Sequence, residues 1–233
     1  MNWLSHTTFL LIIIVIPLIS ISSMRKLKRI SQWQDLPDLT LNNLAGALFL
    51  WLLALGAGLA WLYQGGSMRD LGLLEPTSTT LAWSLMIVVV ALLLIAWTAS
   101  RISSNREFRE NFIDSMEYVL AILPRTRRER NSFFLLSLSA GICEEILYRG
   151  FVFAYLSSYM GLTMVVIVSS LLFGLAHSYQ GLKGVPQTGL VGLALALFYV
   201  ITGSLWASMV LHAAIDMGYG YLSWLALQQE TEE

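Results

Sequence analysis

The sequence predicts an all-α protein: a polytopic membrane helix bundle of about seven transmembrane helices plus one interfacial amphipathic helix. Of its 233 residues, 56% are hydrophobic and only 12% are charged, whereas a soluble domain has about 25% charged residues. The apolar residues form runs that approach or exceed the roughly 20 residues a helix needs to cross a bilayer. The basic residues gather between these runs, which is typical of membrane proteins.

Seven apolar segments account for the predicted transmembrane helices. They cover residues 3–24, 41–63, 79–99, 132–158, 162–177, 187–202 and 205–227.

The charges between these segments predict the orientation of the chain. Basic residues occupy positions 25, 26, 28 and 29, and seven arginines lie between positions 100 and 131. Because basic loops face the cytoplasm, we expect the N-terminus outside and the acidic tail at 228–233 inside, in the plasma (inner) membrane. The first segment has no basic leader or small-residue cleavage site, which predicts that it is not a removed signal peptide.

Residues 106–123 have the pattern of an amphipathic helix. Apolar residues recur there every three or four positions, and charged residues occupy much of the remaining surface. This pattern predicts a helix lying on the inner leaflet, with a solvated linker helix as the open alternative.

Two counts exclude other classes of protein. The net charge of −1 excludes a broad nucleic-acid-binding surface. Cys143 is the single cysteine, which excludes intramolecular disulfides and fits a packing role.

Four charged residues lie inside the predicted spans, namely Glu144, Glu145, Arg149 and Asp216. Each costs about 2.5–3.5 kcal/mol at the centre of a bilayer, even on the lenient insertion scale. These side chains must therefore face one another or a hydrated cavity.

Helical spacing indicates which of these side chains can meet. Glu145 and Arg149 are four residues apart, with the acid first, which favours an ion pair that connects helices. Glu144 is turned about 100° away from Glu145 and is free for another role.

Histidines add to this polar set on two further segments. His212 and Asp216 are four residues apart on the seventh segment, and Phe173 and His177 have the same spacing at the end of the fifth. Intramembrane groups of this kind mark functional cavities, either a catalytic site or the proton relay of a transporter.

Hydrolysis is the chemistry that these residues favour. A buried carboxylate beside an imidazole can deprotonate a water, and a second imidazole can stabilise the resulting oxyanion. A zinc site formed by Glu144, His177 and His212 is the alternative. The motifs GxSxG and HExxH are absent, and spacing alone leaves the metal-free and metal versions both open.

Three motifs resemble those of a known family. EEILYR at 144–149, FGLAH at 173–177 and HAAID at 212–216 are similar, in order and in membrane location, to the EExxxR, FxxxH and HxxxN/D motifs of the CPBP family. That family, also called Abi, comprises the CAAX prenyl proteases and bacteriocin-processing enzymes.

The resemblance implies an intramembrane endopeptidase of the glutamate type, which cleaves CAAX-type substrates or peptide precursors. Glu144 and His177 would activate the water, and His212 with Asp216 would stabilise the oxyanion. Asp216 departs from the asparagine that is common in the prenyl proteases.

The resemblance also implies the organisation of the chain and its partners. Glu145, Arg149 and Phe173 would support the site in a catalytic core at 132–227, which follows N-terminal helices and an amphipathic segment at 1–131. The partners would be a membrane-associated protein or peptide substrate and the lipid bilayer. A non-catalytic immunity or scaffold protein of the same fold is the alternative function.

Overall fold

The computed structural model describes residues 2–27, 38–73 and 77–232, and every regular element in these ranges is a helix. The predicted all-α membrane fold is therefore confirmed. Side chains are described except at 23–27 and 230–232, so the basic stretch at 25–29 and most of the acidic tail lie outside the described side chains.

We number eight principal helices along the chain. Helix α1 consists of Trp3–Leu10, a π-helical stretch at Leu11–Val15, and Ile16–Leu27. The next three are α2 (Thr40–Tyr63), α3 (Ser78–Ser104) and α4 (Arg106–Ser115), and a 3-10 helix at Glu117–Ile122 follows α4. Helix α5 consists of Arg127–Glu145, a π-helical stretch at Ile146–Val152, and Phe153–Ser157. The last three are α6 (Leu162–Ala176), α7 (Gly184–Thr202) and α8 (Leu205–Glu232), with a 3-10 turn at Ser178–Gln180 after α6.

All seven segments predicted to span the membrane fall on helices. In the described part of the chain, four helical stretches are long and apolar enough to cross a bilayer: Trp3–Ser22, Thr40–Tyr63, Ser78–Ser104 and Gly184–Thr202. Helix α6 is apolar but shorter. Helices α5 and α8 do not meet this criterion, because polar and charged residues interrupt their apolar sequences.

The amphipathic segment forms as a helix, and its apolar side packs partly against neighbouring helices. Helix α4 is shorter than the predicted 106–123, and its Phe108 and Phe112 pack with Ile102 of α3 and Leu222 of α8. Neighbouring helices thus cover part of the apolar stripe, and the contact of this helix with the inner leaflet stays a prediction.

The start of α5 is fixed by a buried carboxylate, Glu129. Thr126 accepts a hydrogen bond from the Glu129 amide, and the Glu129 side chain accepts one from the Thr126 amide, which completes a capping box. Glu129 also accepts from the Leu39 amide at 3.1 Å and from the Arg125 amide and guanidinium at 2.8 Å each. This side chain therefore joins the beginning of α2 to the beginning of α5.

These donors determine the charge state of Glu129, which precedes the predicted span. Burial raises its pKa, but the amides of Leu39, Arg125 and Thr126 and the Arg125 side chain outweigh burial, and the net pKa is lowered. A carboxyl whose pKa is lower when folded stabilises the fold above its unfolded pKa of about 4.3, and this stabilisation is lost as the pH falls through the folded pKa.

We predict that Glu129→Gln lowers the melting temperature in detergent at pH 7 by about 4–8 °C, because the loss of charged hydrogen bonds costs about 2 kcal/mol. The difference from wild type should shrink steadily below pH 4. Glu107→Gln, a change of the same kind at an exposed position of α4, should leave the melting temperature nearly unchanged. An equal effect of both substitutions would contradict this account of α5.

Candidate active site

The centre of α5 carries the first three polar groups of the site. Glu144 and Glu145 end its α-helical part, and Arg149 lies in the π-helical stretch that follows. Stretches of π-helix are rare and often mark functional sites. Arg149 Nη1 donates to Glu145 Oε1 at 2.6 Å, which is the contact that their spacing predicts.

Glu145 has a second partner that the spacing did not indicate. Its Oε1 also lies 2.9 Å from His212 Nδ1 of α8, and the Glu145 side chain is fully buried. Because a carboxylate only accepts hydrogen bonds, His212 donates from Nδ1 and its Nε2 points away from Glu145. The Glu145 carboxylate thereby fixes the orientation of this imidazole.

Arg149 extends the same network to α7. Its Nη2 donates to the backbone carbonyl of Gly192 at 2.7 Å, and its guanidinium carbon lies 4.5 Å from the centre of the Phe173 ring. The buried ion pair of Glu145 and Arg149 therefore connects α5 to α6, α7 and α8.

Glu144 faces the histidines, while Glu145 faces Arg149. Glu144 Oε2 lies 3.5 Å from His177 Nε2 and 4.0 Å from His212 Nε2. Among the described residues, none makes a hydrogen bond to this oxygen. The Glu144 side chain is 13% exposed, whereas that of Glu145 is fully buried. Glu145 Oε2 also has no hydrogen-bond partner among the described residues, so it is exposure that makes Glu144 the carboxylate able to act on a water or a substrate.

The backbone of α6 orients His177. His177 ends this helix, and its Nδ1 lies 2.8 Å from the carbonyl oxygen of Phe173. A carbonyl only accepts, so Nδ1 carries the proton and Nε2 of the neutral ring is an acceptor. This unprotonated nitrogen is the one that faces Glu144.

Phe173 lies between the two imidazoles. Its ring centre is 4.6 Å from that of His177 and 5.7 Å from that of His212, with the His212 ring edge-on. The ring is almost completely buried, so it separates the histidines with a rigid apolar spacer.

Asp216 lies at the open side of the site. Its Oδ2 is 3.6 Å from His212 Nε2, and its side chain is 38% exposed, more than that of Glu144 or His177. The structure thus brings together all seven residues singled out from the sequence, which come from α5, α6 and α8.

The alternative zinc site of Glu144, His177 and His212 stays a prediction. In the described part of the chain, which contains Glu144, His177 and His212, no three His, Cys, Asp or Glu side chains are arranged to hold a metal ion. The mechanism that we propose for this site uses no metal.

The sequence motifs did not indicate the glycines that allow α5 to approach α8 and α7 to approach α6. A Cβ on Gly141 would lie 2.6 Å from the backbone nitrogen of Ala213, and one on Gly192 would lie 2.9 Å from Phe173 Cδ1. The first glycine lets α5 approach α8 closely enough for Glu145 to reach His212. Small residues at contacts between apolar helices are the signal that could have indicated both positions.

Comparison with known families supports the same region. Residues 129–218 match the family described as type II CAAX prenyl endopeptidase Rce1-like. This match confirms the resemblance seen in the motifs. The chain matches no curated protein and no solved structure significantly.

The Rce1-like region contains every residue of the site described above. It extends from Glu129 to Gly218 and includes the two glutamates, Arg149 and Asp216. Together with the apolar helices, it supports an integral membrane protein of the CAAX-type protease kind.

We predict that Gly141→Ala pushes α5 away from α8, weakens the contact between Glu145 and His212, and destabilises the protein by about 1–3 kcal/mol. Thermal unfolding in detergent measures this loss. Gly56→Ala is the matched control, because a Cβ there meets nothing within 4 Å, and it should be neutral or slightly stabilising. Equal stability of the two variants would show that the close approach at Gly141 is unimportant.

Proposed function

We propose that this protein is a glutamate-type intramembrane endopeptidase that cleaves peptide bonds in membrane-associated proteins or peptides. The observation that carries the proposal is the partly exposed Glu144, whose Oε2 lies 3.5 Å from the acceptor nitrogen of His177, inside a region similar to the CAAX prenyl endopeptidases. Substrates of the CAAX type or peptide precursors fit this proposal.

Glu144 and His177 bind and activate the water. Both present acceptor atoms, so a water bridging them donates one hydrogen to each and directs an oxygen lone pair outward. Glu144 then takes a proton as the water oxygen forms a bond to the carbonyl carbon. General base catalysis of this kind contributes about 10²–10⁴-fold to the rate.

His212 stabilises the oxyanion that forms. Glu145 accepts from its Nδ1, and its Nε2 faces the same space as Glu144 and Asp216. In the doubly protonated ring both nitrogens are donors, so Nε2 can donate a hydrogen bond to the oxyanion while Nδ1 keeps its bond to Glu145, and both protons stay on the ring. The carbon–nitrogen bond then breaks, and Glu144 passes the proton taken from water to the leaving amine.

Asp216 acts at the same oxyanion or on the His212 ring. Its carboxyl oxygen is 3.6 Å from His212 Nε2. A protonated carboxyl can donate to an oxyanion just as an amide does, and an ionised one can hold the imidazole in place. Either role keeps Asp216 beside the reacting carbonyl.

The proposed setting is the plasma (inner) membrane, with the N-terminus outside and the C-terminus inside. The seven arginines between positions 100 and 131 support this orientation.

We predict that Glu144→Gln abolishes proteolysis and leaves the protein folded. Wild type, Glu144→Gln and the surface control Glu107→Gln are expressed at matched levels in a host that lacks the protein, and new peptide termini are compared across the membrane proteome. Termini should appear with wild type and Glu107→Gln only. The cleaved sequences would also identify the substrate.

Two other results would contradict this proposal. If all three proteins are folded and share a biological phenotype without new termini, the protein acts as a non-catalytic immunity or scaffold protein. Equal cleavage by wild type and Glu144→Gln would show that the base is another group.

We predict that Asp216→Asn retains at least about a tenth of wild-type cleavage, because an amide can donate to the oxyanion, whereas Asp216→Ala loses about 10²-fold or more. Rates are measured on a substrate identified from the new termini. Equal losses in both variants would assign Asp216 a role that requires its negative charge.

A further inference from the structure

The turn that follows His177 is bonded to the N-terminal helix. The backbone amide of Tyr179 donates to Ser20 Oγ at 2.7 Å, across 159 residues of sequence. Ser20 is in the last part of α1 and is 6% exposed. Helix α1 lies outside the region that matches the CAAX prenyl endopeptidases.

This turn carries a proposed catalytic group. His177 joins α6 to the 3-10 turn Ser178–Gln180, and its carbonyl accepts from the Gln180 amide at 2.9 Å. The Tyr179 ring lies beside the imidazole, with 5.6 Å between the ring centres. A displacement of the turn therefore moves the His177 ring relative to Glu144.

Helix α1 is also held at its other end. His6 Nδ1 lies 2.7 Å from the Tyr155 hydroxyl, and Ser5 Oγ donates to Gln64 Oε1 at 2.7 Å. Ser20 is consequently presented by a helix that is fixed to α2 and α5.

The π-helical stretch at Leu11–Val15 brings both ends of α1 to the same side. In a regular α-helix, Ser5 and Ser20 would be about 60° apart around the axis, at roughly 100° per residue. The wider π turns rotate less per residue and reduce this angle. Both serines thereby face the bundle.

We propose that Ser20 is a positioning residue for His177. The Ser20 hydroxyl holds the Tyr179 amide, the turn then holds the imidazole, and Nε2 stays aligned with Glu144 Oε2. This inference rests on the proposed function for its effect on catalysis, and it adds the N-terminal helix to the catalytic unit.

The experiment compares Ser20→Ala with Ser20→Thr and Ser22→Ala. Ser20→Thr keeps a hydroxyl, and Ser22→Ala removes one from an exposed position of the same helix. Amide hydrogen exchange at Tyr179 reports the contact independently of activity, and kcat and KM on a substrate identified from the new termini report its effect on the site.

Ser20→Ala should speed exchange of the Tyr179 amide by about tenfold or more, since a buried amide that loses its partner is destabilised. It should also lower kcat by about tenfold to a hundredfold and leave KM within about twofold, because the loss is one of alignment. Ser20→Thr should restore both readouts, and Ser22→Ala should match wild type.

The other outcomes distinguish failure of the proposed Ser20 role from failure of the proposed function. Unchanged exchange and kcat in Ser20→Ala would overturn the proposal, and so would faster exchange with normal kcat. If wild type itself cleaves nothing while exchange responds as expected, the contact stands and the proposed function fails. If Ser20→Ala does not fold, Ser20→Thr decides: its wild-type exchange and kcat support the hydroxyl, and loss of both with normal folding overturns it.

Discussion

The carboxylate of Glu145 accepts hydrogen bonds from Arg149 and from His212 where no water reaches it. A buried charge is tolerated only with compensating partners. Here one partner, Arg149, connects to a further helix, and the other, His212, is oriented by the contact. Arg149 reaches the Gly192 carbonyl on α7 and covers the face of Phe173. The placement of His212, the spacer between the histidines and the approach of α7 all depend on this one side chain.

The neighbouring carboxylate, Glu144, has the opposite environment. It is one residue away, but the helix turns it toward the two imidazoles and leaves its side chain 13% exposed, whereas that of Glu145 is fully buried. Adjacent glutamates therefore differ in environment for a geometric reason. In the proposed mechanism, the fully buried Glu145 holds Arg149 and His212, and the partly exposed Glu144 carries out the chemistry.

Much of the fold and the composition of the site could be predicted from the sequence, because both depend on local spacing. Apolar runs predicted where helices form, and intervals of four predicted the contact of Glu145 with Arg149. The contact of Glu145 with His212 spans 67 residues and depends on which helices are neighbours, which periodicity does not reveal. The same limit explains why the packing of α4 against α3 and α8 was not predicted, since lipid and a neighbouring helix favour the same pattern. Gly192 was missed because it contributes a backbone carbonyl, which every residue has.

Several hydrogen bonds of the described residues cross the border of the region similar to the CAAX prenyl endopeptidases, and two of them are especially informative. The Leu39 amide donates to Glu129, and the Tyr179 amide donates to Ser20. Each joins the N-terminal helices to a residue inside that region, one at its first residue and the other beside His177. The sequence similarity thus ends at the borders of this region, whereas the contacts that stabilise it continue into the N-terminal helices. Residues 129–218 are recognisable by their similarity to a family, but they are not a separable unit. Excising them would break hydrogen bonds that hold this core in shape.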